Sequence, residues 1–482
     1  MMLREMSKLA EYQFNLEDQR FFAKVSGDYN PIHVDAVFSR RTMFGKLVVH
    51  GIHGVIWGLD NYLALLDDTT FAIKSLKVSF LATIDMSHCV EVYLVNQSDF
   101  AFTLEIRNQD QVVTRIDGVM EKIKLDQGEP LPTSEIDSRC NDLVFEQMEN
   151  RSGVVDLFLN NLLFDRYPNL QKILALQIAQ ILSTSRIVGM ECPGKHSLFC
   201  GLDLQFHKCD LGALSKKVSY ETIKSNKRFS SITLKIEGDG IVGSIRSIIR
   251  PAPFLQAEMG RVASMVAEQE FCDQKALIIG GSRGLGEVAA KIVAAGGGEC
   301  TITYNSGRDD ALKVVREIQD HGGSCDSVEL NILSEPIRIN GLVDFMSLTH
   351  VYYFATPLIT LSATKAFSFD RFNEFNSFYI RGFCDLIAFL SPLVRSPLKI
   401  FYPSTVFLDT YDKNSIEYCA SKAAAETICH YFEEHTENRF FVPRLPKVRT
   451  DQTNSILPLK LKEPTPVLLN SLRDMNIYFG EI

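Results

Sequence analysis

The sequence predicts α+β layers followed by an α/β portion with a doubly wound parallel sheet. Three observations predict it. A long apolar helix pattern followed by four strand patterns occurs twice before Pro251. A short apolar run, Lys275 to Ile279, then leads straight into a glycine-rich turn and a helix. After that turn, strand and helix patterns alternate. A helix wrapped by strands that follow it in sequence is an α+β arrangement, whereas strict alternation builds a parallel sheet. The chain has 482 residues, for which length alone suggests about three domains. The expected boundaries are 1–125, 126–265 and 266–482.

Composition excludes several classes. Hydrophobic residues make up 46% of the chain, enough for sizeable cores, and the net charge is -9. An acidic balance argues against a surface that tracks nucleic acid, which needs a basic face. The start, Met1-Met2-Leu3-Arg4-Glu5-Met6, has no apolar signal core. No apolar run is long enough to span a bilayer. The eleven cysteines contain no Cys-x-x-Cys pair, so neither a zinc cage nor a disulfide framework is expected. Reduced thiols in a cytoplasmic enzyme without a metal fit this usage.

In order along the chain, Glu17 to Val25 has a helical pattern with Phe21, Phe22 and Val25 on one face. It delivers the chain into Ser26-Gly27-Asp28-Tyr29-Asn30-Pro31-Ile32-His33-Val34-Asp35. Proline fixes its own φ and biases the residue before it away from helix. A turn so constrained can face Asp28 and His33 into one small volume. Leu47-Val48-Val49-His50-Gly51 opens a buried helix to Leu66, with Val55, Ile56, Leu59, Leu63 and Leu66 at helical spacing. Strand patterns follow at 71–84, 90–96, 100–107 and 112–123. For an isolated Asp-x-x-x-x-His, a turn cap and a loop histidine would be the better reading. Asn30-Pro31 between them, with His50-Gly51 in register, favours a site. His53 reads as a packing or tunnel-lining residue, and Trp57 as core in preference to a ligand platform.

Ser-Gly-Asp-x-Asn-Pro-Ile-His-x-Asp, followed by Phe44-Gly45-x-Leu-Val-Val-His50-Gly51, resembles the MaoC-like (R)-specific enoyl-CoA hydratases of hot-dog fold, over roughly the first quarter of the chain. The resemblance implies that Asp28 and His33 activate a water for addition to an enoyl thioester. It also implies that the Gly51 N–H faces the thioester oxygen. The chemistry agrees: hydration needs a base for water and an acid for C2, and a carboxylate–imidazole pair supplies both. A helix N-terminus favours the negative charge that develops on that oxygen. Ala36 stands where the family often has Pro, outside the chemistry.

Asp126 to Thr133 reads as a turn-rich linker. A second long helix pattern, 170–187, is followed by strand patterns at 197–206, 217–223, 229–236 and 241–249. This is a weak internal repeat. The second copy lacks the Asp-x-Asn-Pro-x-His motif, so it resembles the degenerate half of a double hot-dog. Pairing two halves covers a sheet edge that one alone leaves open. His196 and Asp203 are candidates for a second acid–base pair, with turn and strand-surface residues as the better reading. Lys195, Lys208 and Arg250 are candidates for thioester-carrier phosphates, against the plainer reading of scattered surface cations.

Pro251-Ala-Pro-Phe marks a boundary, and 258–269 reads as a polar linking helix. Strand 275–279 enters Gly280-Gly281-Ser282-Arg283-Gly284-Leu285-Gly286 and a helix from Glu287 to Ala295. Such a turn lets backbone approach a pyrophosphate at the helix N-terminus. A second strand, 299–304, and a helix, 309–321, follow. Downstream lie Ser404 and Tyr418-Cys-Ala-Ser-Lys422, the latter with both side chains on one helix face. Together these motifs resemble the short-chain dehydrogenase/reductases. The resemblance implies a Rossmann-type sheet and a cofactor turn of Gly280, Ser282, Arg283, Gly284, Leu285 and Gly286. It implies that Tyr418 is proton donor, that Lys422 lowers its pKa and holds the nicotinamide ribose, and that Ser404 binds the carbonyl. Asn376 aligns loosely with the family's relay asparagine. No acid ends the second strand at Asn305-Ser306-Gly307-Arg308, and Arg283 and Arg308 are available for a 2′-phosphate, so NADPH is expected over NADH. Solvated arginines are the competing reading. Ile279, Asn331, Phe354-Ala355-Thr356-Pro357 and Pro446-Lys447 all depart from the family pattern.

The expected whole is an α+β double hot-dog followed by an α/β Rossmann-type doubly wound parallel sheet. Its expected substrate is an acyl-CoA or acyl-carrier-protein thioester, reduced at C3 and then dehydrated. Self-association is expected by resemblance to both families, which places a homo-oligomer beside these expectations. Two alternatives stay open: a single active half, or a non-enzymatic scaffold that binds carrier protein.

Overall fold

The computed structural model describes residues 6–67, 69–124, 131–133, 139–209, 214–341, 343–359, 367–410, 415–456 and 459–480. Met1 to Glu5 and most of the expected linker, Asp126 to Pro130, lie outside the described residues. The chain divides into two compact units, 1–252 with 455–458, and 253–454 with 459–482. The division falls at the Pro251-Ala-Pro-Phe turn, before the 265/266 boundary expected from sequence. Met259 and Val262 explain the difference, since both are buried in the core of the second unit. The polar helix expected over 258–269 is a short one, Met259–Ala263.

The first unit is a ten-stranded antiparallel sheet. Its strands are β1 (Ser7–Tyr12), β2 (Phe71–Phe80), β3 (Val90–Ser98), β4 (Ala101–Asn108), β5 (Gln111–Lys122), β6 (Ser152–Asp156), β7 (Ser197–Phe206), β8 (Lys217–Asn226), β9 (Ser231–Gly238) and β10 (Ile241–Ile249). Their spatial order is β1-β3-β4-β5-β2-β7-β10-β9-β8-β6. Each half thus has the same order, and the halves join through antiparallel β2 and β7. Sequence missed β1 and β6, the two edge strands.

One buried helix serves each half. Gly51–Leu63 buries most of its length, including Val55, Ile56, Leu59 and Leu63. Ala175–Arg186 is its counterpart and runs on into a wider π turn, Ile187–Glu191. The helix expected to begin at Leu170 begins later because Ile173 bridges to Phe71 and the Leu174 N–H is given to the Phe71 carbonyl. β2 ends at Phe80 rather than Ile84, where the Leu81 and Ala82 N–H groups both turn to the Val113 carbonyl.

The second unit contains β11 (Lys275–Ile279), β12 (Glu299–Tyr304), β13 (Ser324–Leu330), β14 (Ile339–Asn340), β15 (His350–Tyr353), β16 (Lys399–Phe401), β17 (Ser404–Thr405), β18 (Arg439–Phe441) and β19 (Arg444–Leu445). Seven form one sheet in the order β14-β13-β12-β11-β15-β16-β18, parallel except for β14. β17 and β19 pair separately. Both sheet faces are covered, as a parallel sheet requires. On β11, Ala276 and Ile278 face one core with the helices Gly284–Ala295 and Arg308–Asp320, while Leu277 and Ile279 face the other with Phe383–Leu390 and Ile416–His435. Among the described residues, no helix is long and apolar enough to cross a membrane.

Candidate active site

In the first unit, the helix Leu16–Ser26 starts on a reciprocal cap between Asn15 and Asp18 and ends at Gly27. Asn30 then caps the short turn Pro31–Val34 through the Ile32 N–H. These two ends aim Asp28 and His33 at each other. A carboxylate oxygen of Asp28 and one ring nitrogen each of His33 and His50 lie within 4.8 Å of one another. One water molecule can span such a gap.

Asp28 is fully buried, and each oxygen has a donor. Oδ1 accepts from the Asn30 N–H at 3.1 Å, and Oδ2 from the Ser185 hydroxyl at 2.7 Å. Burial pushes its pKa up to about 6, against the pull of Ser185 and Asn30. His33 gives its Nδ1 proton to the Val48 carbonyl at 2.8 Å. A carbonyl can only accept, so Nε2 carries the lone pair. Burial holds His33 down to about 4, and Arg250 adds to the effect. At neutral pH the pair is therefore a carboxylate and a neutral imidazole.

His50 stacks on His33 with ring centroids 3.8 Å apart. Its nitrogens lie 2.9 Å from two acceptors, the Asp28 carbonyl and Gln19 Oε1. Burial drives its pKa well below the ordinary value, so it has one ring proton and can donate to only one of the two. With the rings stacked and His50 so engaged, the three residues suit hydrogen bonding better than metal coordination, which needs converging lone pairs. His53 donates to or accepts from the Tyr167 hydroxyl at 2.7 Å and stacks on Phe22. Gly51 is the first residue of the buried helix, where a backbone N–H has no partner within the helix. The Phe80 ring lies against it, in edge contact with Phe199 of the second half.

Sequence reading missed the second half's share of this site. Besides Ser185, Asn30 Nδ2 reaches the carbonyls of Gly189 at 2.9 Å and Gly194 at 3.1 Å. The Cys140 thiol donates to the Gly189 carbonyl at 3.0 Å. Arg250 is buried. Its guanidinium bonds the Lys195 and Ser197 carbonyls and lies over Phe38, so it is not the surface phosphate contact considered from sequence. His196 pairs with Asp142, and Asp203 is exposed on β7, so those two do not form a second pair.

In the second unit, the glycine-rich turn joins β11 to the helix Gly284–Ala295. Gly280 has φ 79°, in the left-handed region that glycine tolerates. Ser282 is buried, Leu285 half-buried, and a side chain on Gly286 would strike the Gly280 carbonyl. A Cβ on Gly284 would meet nothing within 4 Å, so that side of the turn is open. Arg283 Nη1 lies 3.5 Å from Asp451, and Arg308 is exposed at the start of its helix.

Of the three residues expected to act together, Ser404 has a partner of its own. The Ser404 hydroxyl donates to Glu426, which is also paired with Arg444. The neighbouring Thr405 hydroxyl pulls the Tyr418 pKa down, a smaller effect than burial. Burial pushes the Tyr418 pKa up, so it holds its proton. Lys422 donates to the Pro403 carbonyl at 2.7 Å, with its ammonium 4.0 Å from the Tyr379 ring centre and 4.7 Å from that of Tyr402. Burial lowers its pKa to about 7. Asn376 accepts from the Ser421 hydroxyl at 2.8 Å.

A search of curated proteins gives no match. Among solved structures, the angucycline C-6 ketoreductase LanV with bound NADP is 16% identical, with a TM-score of 0.36, over 43% of this chain and 90% of its own. A short chain dehydrogenase from Burkholderia cenocepacia J2315 in complex with NADP is 15% identical, with a TM-score of 0.36, over 43% and 91%. The oxidoreductase yciK from E. coli is 18% identical, with a TM-score of 0.37, over 43% and 92%. Residues 4–109 match the family model of the MaoC like domain.

Proposed function

We propose that the chain is a two-activity enzyme of acyl thioesters, built as two hot-dog halves followed by a reductase of the short-chain dehydrogenase/reductase kind. The reductase converts a 3-oxoacyl thioester to the (3R)-hydroxyacyl form with NADPH. The hot-dog unit dehydrates that product to the trans-2-enoyl thioester, or runs in reverse as a hydratase. The carrier is coenzyme A or an acyl carrier protein. One observation carries the reading: Asp28 and His33 converge within the reach of a single water, both in base form near neutral pH.

In hydration, water between the two residues loses a proton to the pair as its oxygen bonds to C3. The pair returns that proton to C2, so hydroxyl and hydrogen are added and the site is restored. Dehydration reverses each step. The Gly51 N–H stands by the thioester oxygen, which gains charge as the C3 bond forms. Crotonyl-CoA hydration, followed as loss of the enoyl absorbance, is the test. Asp28→Asn and His33→Ala each lose at least about a thousandfold in kcat. An Asp28→Asn chain with native turnover refutes the hydratase reading.

For the reductase, the open turn at Gly284 and the close approach of Gly286 to Gly280 suit a bound pyrophosphate. NADPH, when bound, supplies the hydride. Tyr418 gives a proton to the carbonyl oxygen. Lys422 fits the ribose less well as placed, because its ammonium is enclosed by Pro403, Tyr379 and Tyr402. That enclosure favours a second reading, in which only the hot-dog unit turns over. Oxidation of NADPH by acetoacetyl-CoA separates the two readings.

A further inference from the structure

We propose that the motif-less second half is a working part of the first half's site, with Ser185 positioning the Asp28 carboxylate and Gly189 leaving the space it occupies. The proposal rests on the hydratase reading and deepens it. Three hydroxyls follow one another at the end of the second buried helix. Ser183 and Thr184 give their protons back to their own helix, to the Gln180 and Ile181 carbonyls, each at 2.7 Å. Ser185 alone turns away from it, to Asp28 Oδ2 at 2.7 Å. Its hydroxyl is buried and has one proton to give.

The helix then widens into the π turn Ile187–Glu191, a distortion often found beside functional groups. The widened turn receives the whole Asp28–Asn30 segment. The Tyr29 N–H reaches Met190 Sδ at 3.2 Å, and Asn30 Nδ2 reaches the Gly189 carbonyl. Gly189 lies directly against the carboxylate: a Cβ there would overlap both Asp28 oxygens. Oδ1 is held by the backbone of its own turn and Oδ2 by Ser185, so the carboxylate plane is set from both halves. Without Ser185 one oxygen is buried with no donor, and the plane is free to rotate away from His33.

The test is steady-state hydration of crotonyl-CoA by the full chain across pH. Ser185→Ala lowers kcat about tenfold and raises the acid limb of kcat/KM by about one pH unit, the size of one charge-assisted hydrogen bond. KM changes less than about twofold, because the one proton of this hydroxyl is given to Asp28. Ser185→Cys, a weaker donor of similar size, falls between. Gly189→Ala loses hydration while its far-ultraviolet circular dichroism stays native. Native turnover with an unmoved acid limb in Ser185→Ala overturns the proposal. If the native chain hydrates no enoyl thioester, the hydratase reading fails, and the positioning is read directly. The Asp28 carboxyl infrared band, assigned by its loss in Asp28→Asn, then titrates about one pH unit higher in Ser185→Ala than in the native chain. An unchanged midpoint sinks the positioning role.

Discussion

Asp28 is buried as a carboxylate at a cost to the fold. Its pKa is raised to about 6, against about 3.9 in an unfolded chain. A raised pKa means that the stabilising share is whole below about pH 4 and is lost as pH rises through about 6. By linkage the ionised carboxylate then costs up to about 3 kcal/mol at pH 8. Asn cannot ionise, and its amide can still meet both Ser185 and the Asn30 N–H. Asp28→Asn is therefore expected to abolish hydration and to raise the thermal midpoint at pH 8 by a few degrees, with little gain at pH 4. Calorimetry at the two pH values checks the sign. The second unit offers a residue-scale prediction of its own. Ser404→Ala is expected to lose less NADPH oxidation than Tyr418→Phe, because the Ser404 hydroxyl is already given to Glu426. The contrast between Asp28 and Ser404 shows what a sequence can carry at this scale. Asp28 and His33 were legible because a proline turn joins them within a few residues. The bond from Ser404 to Glu426 was not legible, because only the fold brings the two together. Ser185 and Gly189 left no signal, since a serine and a glycine at a helix end are ordinary until the fold brings Asp28 to them.

Elements were legible where their period was clean. The strands 275–279, 299–304, 197–206 and 241–249 lie where alternation or apolar runs predict them. β1 and β6 were missed because short edge strands with exposed positions lack that alternation. The helix expected from Leu170 to Ile187 was found in pieces, for a reason that lies across the sheet. β2 pairs with β7 only from Ser75 to Ser79. Ile73, just before this stretch, has no strand on that side. Gln177 takes the strand's place, accepting the Ile73 N–H and donating to its carbonyl, both at 2.8 Å. The second helix thus completes a strand of the first half, and Ile173 and Leu174 leave helical geometry to bring it there. Gln177→Leu keeps the volume and strands two buried backbone groups. It is expected to destabilise the first unit by about 3 kcal/mol, read as a lower urea midpoint with an unchanged slope. A loss under about 0.5 kcal/mol would mean that water or a shifted side chain replaces the amide.

At the scale of the whole chain, the proposed order of reactions makes one unit's product the other's substrate. Fusion keeps that product concentrated near the next site without any new contact. The prediction uses NADPH deuterated on the transferred hydrogen and an acetoacetyl thioester. Reduction places deuterium on C3 of the hydroxyacyl product. Dehydration removes the C3 hydroxyl and a C2 hydrogen, so the label survives on C3 of the enoyl thioester. The native chain should give singly labelled enoyl product, by mass spectrometry, after gain of deuteride and loss of water. Asp28→Asn should stop at labelled hydroxyacyl thioester, because its second unit is untouched. Tyr418→Phe should consume no NADPH yet still dehydrate added (3R)-hydroxybutyryl thioester. Mixing the two variants should restore labelled enoyl product, at a lower rate than the native chain at equal site concentrations, because the intermediate must then diffuse between molecules. Equal rates would remove the advantage argued for fusion, and unlabelled enoyl product would refute the order of the two steps.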